Sequence, residues 1–146
     1  MSVTFGDWNK LYAALDKLKN VEKEVDDDAK QQAEMLKQAI QSYVTGQQGG
    51  WAPLAPYTVN KKGSSTILIE TGTMINSLTV DKVGEADYFI HFTGMNAEKS
   101  NEQVASENEY GTSTKPPRPF VRPVYERDGK KAVEGVMNAI KELLSQ

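Results

Sequence analysis

Leu78-Thr79-Val80-Asp81-Lys82-Val83-Gly84-Glu85-Ala86-Asp87-Tyr88-Phe89-Ile90-His91-Phe92 is where the chain changes its hydrophobic period from helix to strand. Leu78, Val80 and Val83 are interleaved with polar residues, Gly84 to Asp87 supplies a turn, and Tyr88, Ile90 and Phe92 alternate again. Period two on both sides of a turn predicts an antiparallel hairpin with one buried face. His91 then falls on the face opposite Ile90 and Phe92, the polar one.

Working outward toward the N-terminus, Thr71 or Thr73 can cap a short helical turn over Met74 to Leu78. Lys61 to Ser65 reads as an exposed tip. Trp51-Ala52-Pro53-Leu54-Ala55-Pro56-Tyr57-Thr58 is irregular, because its prolines exclude a helix interior or a central strand. Before it, Gly46 and Gly49-Gly50 end a helical region. Trp8, Leu11, Tyr12, Leu15 and Leu18 recur at helical spacing, and Val25, Ala29, Leu36, Ile40, Tyr43 and Val44 continue it. Asn20 either separates two helices or lies within one long helix.

In the other direction, Asn96 is expected to cap a helix over residues 97–108. Lys115-Pro116-Pro117-Arg118-Pro119 is extended, since each residue before proline is pushed out of the helical region. Pro123 suits the first turn of a last helix, whose stripe is Val133, Val136, Met137, Ile140 and Leu144, with Gly129 a candidate early break. The expected architecture is α+β: N-terminal helices, a small antiparallel β-sheet with a hairpin, and a C-terminal amphipathic helix, in a single domain over residues 1–146.

Composition narrows the function. The 146 residues hold no cysteine and one histidine. Thiol nucleophiles, thiolate metal sites and two-histidine metal sites are therefore out, and no cofactor is expected. No serine sits in a nucleophile-elbow context. Glu107 and Glu109 are the best placed carboxylates for a hydrolase, but two residues apart on a helix they do not face each other. A non-enzyme is expected. No apolar run approaches the roughly 20 residues that span a bilayer, and Met1 to Phe5 lacks the regions of a signal peptide. The expectation is a protein made in a cytoplasm, with no membrane partner. The net charge of −3 gives no footprint for specific nucleic-acid binding.

Three short signals follow one another. Trp51-Ala52-Pro53-Leu54 precedes Thr58 and Lys61. Ile67-Leu68-Ile69-Glu70-Thr71-Gly72-Thr73-Met74-Ile75-Asn76-Ser77-Leu78 leads into the hairpin. Glu109-Tyr110-Gly111-Thr112 is followed by Pro117-Arg118-Pro119-Phe120-Val121-Arg122-Pro123. In this order, over residues 51–125, they resemble the tail-completion, or neck, proteins of tailed bacteriophages, including related virion-morphogenesis proteins. Two features depart from that pattern: Thr73 to Asn76 stand where basic residues are common, and the link from Thr93 to Ser106 is long.

The resemblance implies a structural protein of the virion, made in the host bacterial cytoplasm. It would form a homo-oligomeric ring, hexameric or dodecameric, at the head–tail junction, where it completes the tail or neck and joins head to tail. Its neighbours would be the head-connector and the tail-terminator or tail-tube proteins, and the genome would pass through its lumen. Candidate interface residues are Trp51, Pro53, Leu54, Glu109, Tyr110, Arg118, Phe120, Val121 and Arg122. Proline stiffens the strip around Phe120 and Val121, which lowers the entropy lost on docking, and arginine forks suit carboxylates across an interface. Two readings stand for Phe120: it docks on a partner, or it plugs its own core. A ring needs contact between unlike patches, and the Trp51 loop and the strip from Pro117 to Pro123 are the candidates. The acidic run Glu22, Glu24, Asp26, Asp27 and Asp28 either lines the lumen, where it would repel DNA, or faces outside solvent. The alternative reading is a small host-directed binding or regulatory module that acts through its amphipathic N-terminal helices.

Overall fold

The computed structural model describes residues 8–145; the expectation about Met1 to Phe5 lies outside them. The N-terminal region is one helix, α1, Trp8–Thr45, which runs straight through Asn20. At 38 residues it is about 57 Å long. It ends where Gln47 takes a left-handed conformation, φ 51°, with Gln48 N–H donating to Tyr43 O at 3.0 Å and Gln47 N–H to Val44 O at 3.1 Å. The Gln47 side chain offsets its strained backbone by pairing with Ile67, Nε2 to O at 2.9 Å and N to Oε1 at 2.8 Å.

Residues 51–55 are irregular, as the prolines require. A short helix, α2, Pro56–Lys62, takes up the first two residues of the tip expected at Lys61 to Ser65, and Lys62 and Ser64 are half-buried rather than exposed. Pro56 occupies its first position, where the missing N–H costs nothing, and Gly63 ends it in the left-handed region. The short turn α3, Thr73–Asn76, buries Met74 and Ile75. Gly72, φ 77°, stands at its cap position, and the hydroxyl of the preceding Thr71 accepts from the first helical N–H, that of Thr73, at 3.4 Å.

Strands β1, Leu78–Gly84, and β2, Asp87–Phe92, pair antiparallel with Leu78 opposite Phe92 and Val80 opposite Ile90. Val83 is exposed: it lies an odd number of residues from Leu78 and Val80, on the opposite face, and a bulge between Lys82 and Gly84 leaves it unpaired with β2. His91 lies on the outer face, as the alternation requires. It is stacked on Phe89 and 2.6 Å from Asp81.

The helix expected from residue 97 begins later. Met95–Asn96 and Lys99–Ser100 form a second, two-residue hairpin, β3 and β4. Ala97 at φ 54° makes its turn and excludes a helix start there. Ser100 then caps α4, Asn101–Tyr110, accepting from Gln103 N–H at 3.1 Å. The last helix runs in three parts: α5, Val121–Val124, a π turn over Tyr125–Gly129, and α6, Lys130–Ser145. Gly129 does not break it. The glycine is buried, and a Cβ there would stand 2.9 Å from the Tyr125 ring.

One cluster of buried residues joins these elements: Ile40 and Val44 of α1, Met74, Ile75, Leu78, Ala105, Phe120 and Val124. Phe92 meets Phe120 edge to face at 6.0 Å between centroids. α6 returns along α1, with Gly135 against Gln32, and the hairpin packs beside α1. The architecture is α+β. No helix among the described residues is long and apolar enough to cross a membrane.

Candidate interface site

The three sequence signals meet in space. Trp51 emerges after Gly49, where a Cβ would lie 1.9 Å from the indole; the glycine lets the ring fold back over the chain. The indole packs edge-on to Tyr43, with centroids 5.8 Å apart. Its Nε1 donates to Pro119 O at 2.8 Å. Arg118 reaches the same loop, with Nε and Nη2 directed at Ala52 O at 3.4 and 3.5 Å. The Trp51 loop and the strip from Pro117 to Pro123 therefore form one continuous surface of one subunit. The expectation that they are the two opposed patches of a head-to-tail contact is corrected by this adjacency, since such a contact takes its halves from different sides.

Glu109, at the end of α4, is 8 % exposed. Its carboxylate accepts from Phe120 N–H and Val121 N–H through Oε2, at 2.8 and 2.9 Å, and from Arg122 N–H through Oε1 at 2.9 Å. These amides are the orphan donors at the start of the last helix, where a negative charge also favours the helix dipole. Gly111, φ 75°, turns the chain between them; a Cβ there would come within 2.8 Å of Pro117 N. Arg118 N–H closes the loop onto Asn108 O at 2.7 Å.

This geometry sorts the candidate residues. Glu109 and Phe120, expected at a subunit surface, lie inside the subunit: Glu109 is committed to its own backbone, and Phe120 is fully buried among apolar side chains. Val121 is half-buried against the same core. Tyr110, Pro53 and Arg122 are exposed, and Trp51 and Leu54 are half-buried. Arg118 is buried and forms no ion pair among the described residues.

Beside Arg118 opens a cavity of ≈ 460 Å³, into which all three signals contribute: Pro53 and Leu54, then Leu68, Ile69 and Met74, then Arg118. Lys62 and Lys115 add charge at its wall. Burial, reinforced by the nearby Arg118 and opposed by Glu70, lowers the Lys62 amine below its ordinary value, and its Nζ donates to Thr66 O. A half-apolar cavity whose wall carries Lys62, Lys115 and Arg118 against one acid, Glu70, suits an acidic side chain carried on an apolar segment. The sequence marked Leu68 and Ile69 within the second signal but not as site residues, and it gave Lys62 only to an exposed tip, because α2 and the left-handed Leu68 (φ 63°) that turn them to the cavity carry no local signal.

The acidic run divides. Asp26 is pinned to the hairpin: its carboxylate accepts from Ala86 N–H at 3.0 Å and Tyr88 OH at 2.9 Å, and pairs with Lys82 Nζ at 2.8 Å. The Lys82 hydrogen bond, with those from Ala86 and Tyr88, outweighs desolvation and lowers the Asp26 pKa. Glu22, Glu24 and Asp27 are exposed, and Asp28 is half-buried. Glu107 is tied to Lys99 at 2.6 Å. No cluster of metal-ligating side chains occurs among the described residues. Compared with known proteins, the chain matches no family model, no curated protein and no solved structure.

Proposed function

We propose that this chain is a non-enzymatic assembly subunit of the head–tail junction of a tailed bacteriophage. It forms a ring between the head connector and the tail, and it acts by docking rather than turnover. The observation that supports this reading is the convergence of the three ordered signals. Residues 51–54, 67–78 and 109–123, far apart in sequence, pack around one core and open on one cavity. Motifs that recur for separate chance reasons have no cause to share a surface. The docking face takes Pro53 and Leu54 at that cavity together with the exposed Tyr110 and Arg122, and Arg122 forms no ion pair among the described residues.

The test is complementation of a phage that lacks this gene product. The unmodified chain should restore joined particles, counted by electron microscopy. Tyr110→Ala with Arg122→Glu alters exposed side chains only, so its circular dichroism should be unchanged while joined particles fall at least about tenfold, as for the loss of central interface contacts. Heads joined to tails in the absence of the protein would refute the proposal.

A further inference from the structure

We propose that the cavity beside Arg118 receives an acidic, apolar-flanked peptide segment of the protein that docks on this chain, with an Asp or Glu carboxylate closing on the Arg118 guanidinium. Arg118 is 9 % exposed and lines the cavity. Its side chain reaches one acceptor, Ala52 O, from Nε at 3.4 Å and from Nη2 at 3.5 Å, both longer than the roughly 2.7–3.2 Å of a good N–H···O bond. Nη1 donates to nothing among the described residues. It keeps solvent contact, because among those residues the partnerless side-chain atom sealed from solvent is Asn101 Oδ1. No carboxylate lies in ion-pair range of the guanidinium there either. A planar fork of N–H donors, buried and left short of acceptors, is costly until a charged acceptor reaches it.

The surroundings set the sign of the occupant. Lys62, Lys115 and Arg118 less Glu70 give the wall a net charge of +2, in a chain whose net charge is −3. Glu70 is exposed and forms no ion pair among the described residues, so it neutralises none of the three cations by contact. Burial holds the Lys62 amine below its ordinary value, opposed by Glu70 and reinforced by Arg118. An arriving carboxylate offsets both the burial and the repulsion between the two cations.

Shape selects a peptide among anions. Leu54, Leu68, Ile69, Met74 and Val104 line the same cavity of ≈ 460 Å³, which falls within the roughly 300–1,000 Å³ of ligand sites. An inorganic anion leaves that apolar wall wet. A nucleic-acid strand brings a phosphate at every residue to a chain that is acidic overall. A peptide presents a single carboxylate between apolar side chains and uses both parts of the wall. The site is held ready for it: Arg118 N–H is fixed to Asn108 O at 2.7 Å, and Gln47 ties Ile67, next to Leu68, at 2.8 and 2.9 Å. Little entropy is then lost in ordering the wall. The inference rests on the assembly reading for the identity of the partner alone. Peptide capture is read on the purified chain and head–tail joining in virions, so each can fail without the other.

Panning a random heptapeptide display library on the purified full chain tests it. Selected peptides should share one Asp or Glu beside Leu, Ile, Val, Met or Phe. In titration calorimetry with a selected peptide, blocked at both ends, changing its acid to the amide should weaken binding at least about tenfold. Arg118→Lys keeps the charge but loses the fork, and should weaken binding by about the same factor. Two changes at exposed side chains read the charge without touching the core. Lys115→Glu should weaken binding about fivefold and Glu70→Gln should tighten it about twofold to fivefold, each with an unchanged far-UV spectrum. A library that yields no binder or binders without a shared acid, affinity indifferent to Lys115→Glu and Glu70→Gln, or displacement of the peptide by equimolar inorganic phosphate or oligothymidylate would overturn the proposal.

Discussion

Removing the Glu109 carboxylate should be among the most damaging single changes to this fold, although the residue reads as a surface glutamate in sequence. It accepts three backbone N–H groups at 2.8–2.9 Å while 8 % exposed. Hydrogen bonds to a charged group contribute about 1.5–3 kcal/mol each, and a buried donor left unpaired costs about 1–3 kcal/mol. The bonds share one carboxylate, so they do not add in full. Glu109→Ala should cost about 3–5 kcal/mol, with some relief if water enters. Glu109→Gln keeps one acceptor oxygen but turns an amide NH₂ toward a donor, for a loss of about 2 kcal/mol. In a chain of 146 residues the alanine variant should melt roughly 10–15 °C lower. Urea denaturation followed by circular dichroism gives the free energy directly, and the denaturant slope should stay constant. A Glu109→Ala midpoint corresponding to less than about 0.5 kcal/mol would refute the capping role.

Gly49→Ala should displace the Trp51 indole, since a Cβ would stand 1.9–2.4 Å from its ring atoms. The expected cost is about 1–3 kcal/mol, with a red-shifted tryptophan emission as the bond to Pro119 O is lost. Asp26 predicts a pH response. Its folded pKa is lowered, so the stability that it contributes is present above the ordinary aspartate value, near 4, and is lost as pH falls through the lower folded value. Amide exchange at Ala86 should accelerate over that acid window, and Asp26→Asn should show fast exchange at every pH.

Elements set by local period were legible in the sequence. The hairpin register follows from alternation up to Lys82, and the last helix follows from its stripe. Val83 obeys that period against the inward expectation: it lies an odd number of residues from Leu78 and Val80, so it faces outward with Asp81. The other failures have physical causes outside it. The helix predicted over 97–108 started late because a two-residue hairpin took its first residues and passed the cap to Ser100. Asp26 is indistinguishable in sequence from Asp27, yet only Asp26 meets the hairpin, because helical rotation separates neighbours by about 100°. In the candidate site, the prolines keep residues 116–119 out of regular structure, and the helix starts only at Val121. Which side chains point inward is decided by Glu109 and Trp51, across sequence distances where no local signal acts.

The adjacency of the Trp51 loop and the 117–123 strip changes what a ring would require. A head-to-tail ring uses two unlike surfaces on different sides of each subunit, and the bond from Trp51 Nε1 to Pro119 O places both candidates on one side. If that shared face meets a neighbouring ring, contacts between copies must come from elsewhere on the molecule. The cavity beside Arg118 would then be left to a different protein, and any contact between copies should survive the loss of the face around it. Tyr110→Ala/Arg122→Glu should block head–tail joining while leaving the sedimentation of the purified chain unchanged. A variant that lost both properties would mean that a single surface serves both contacts.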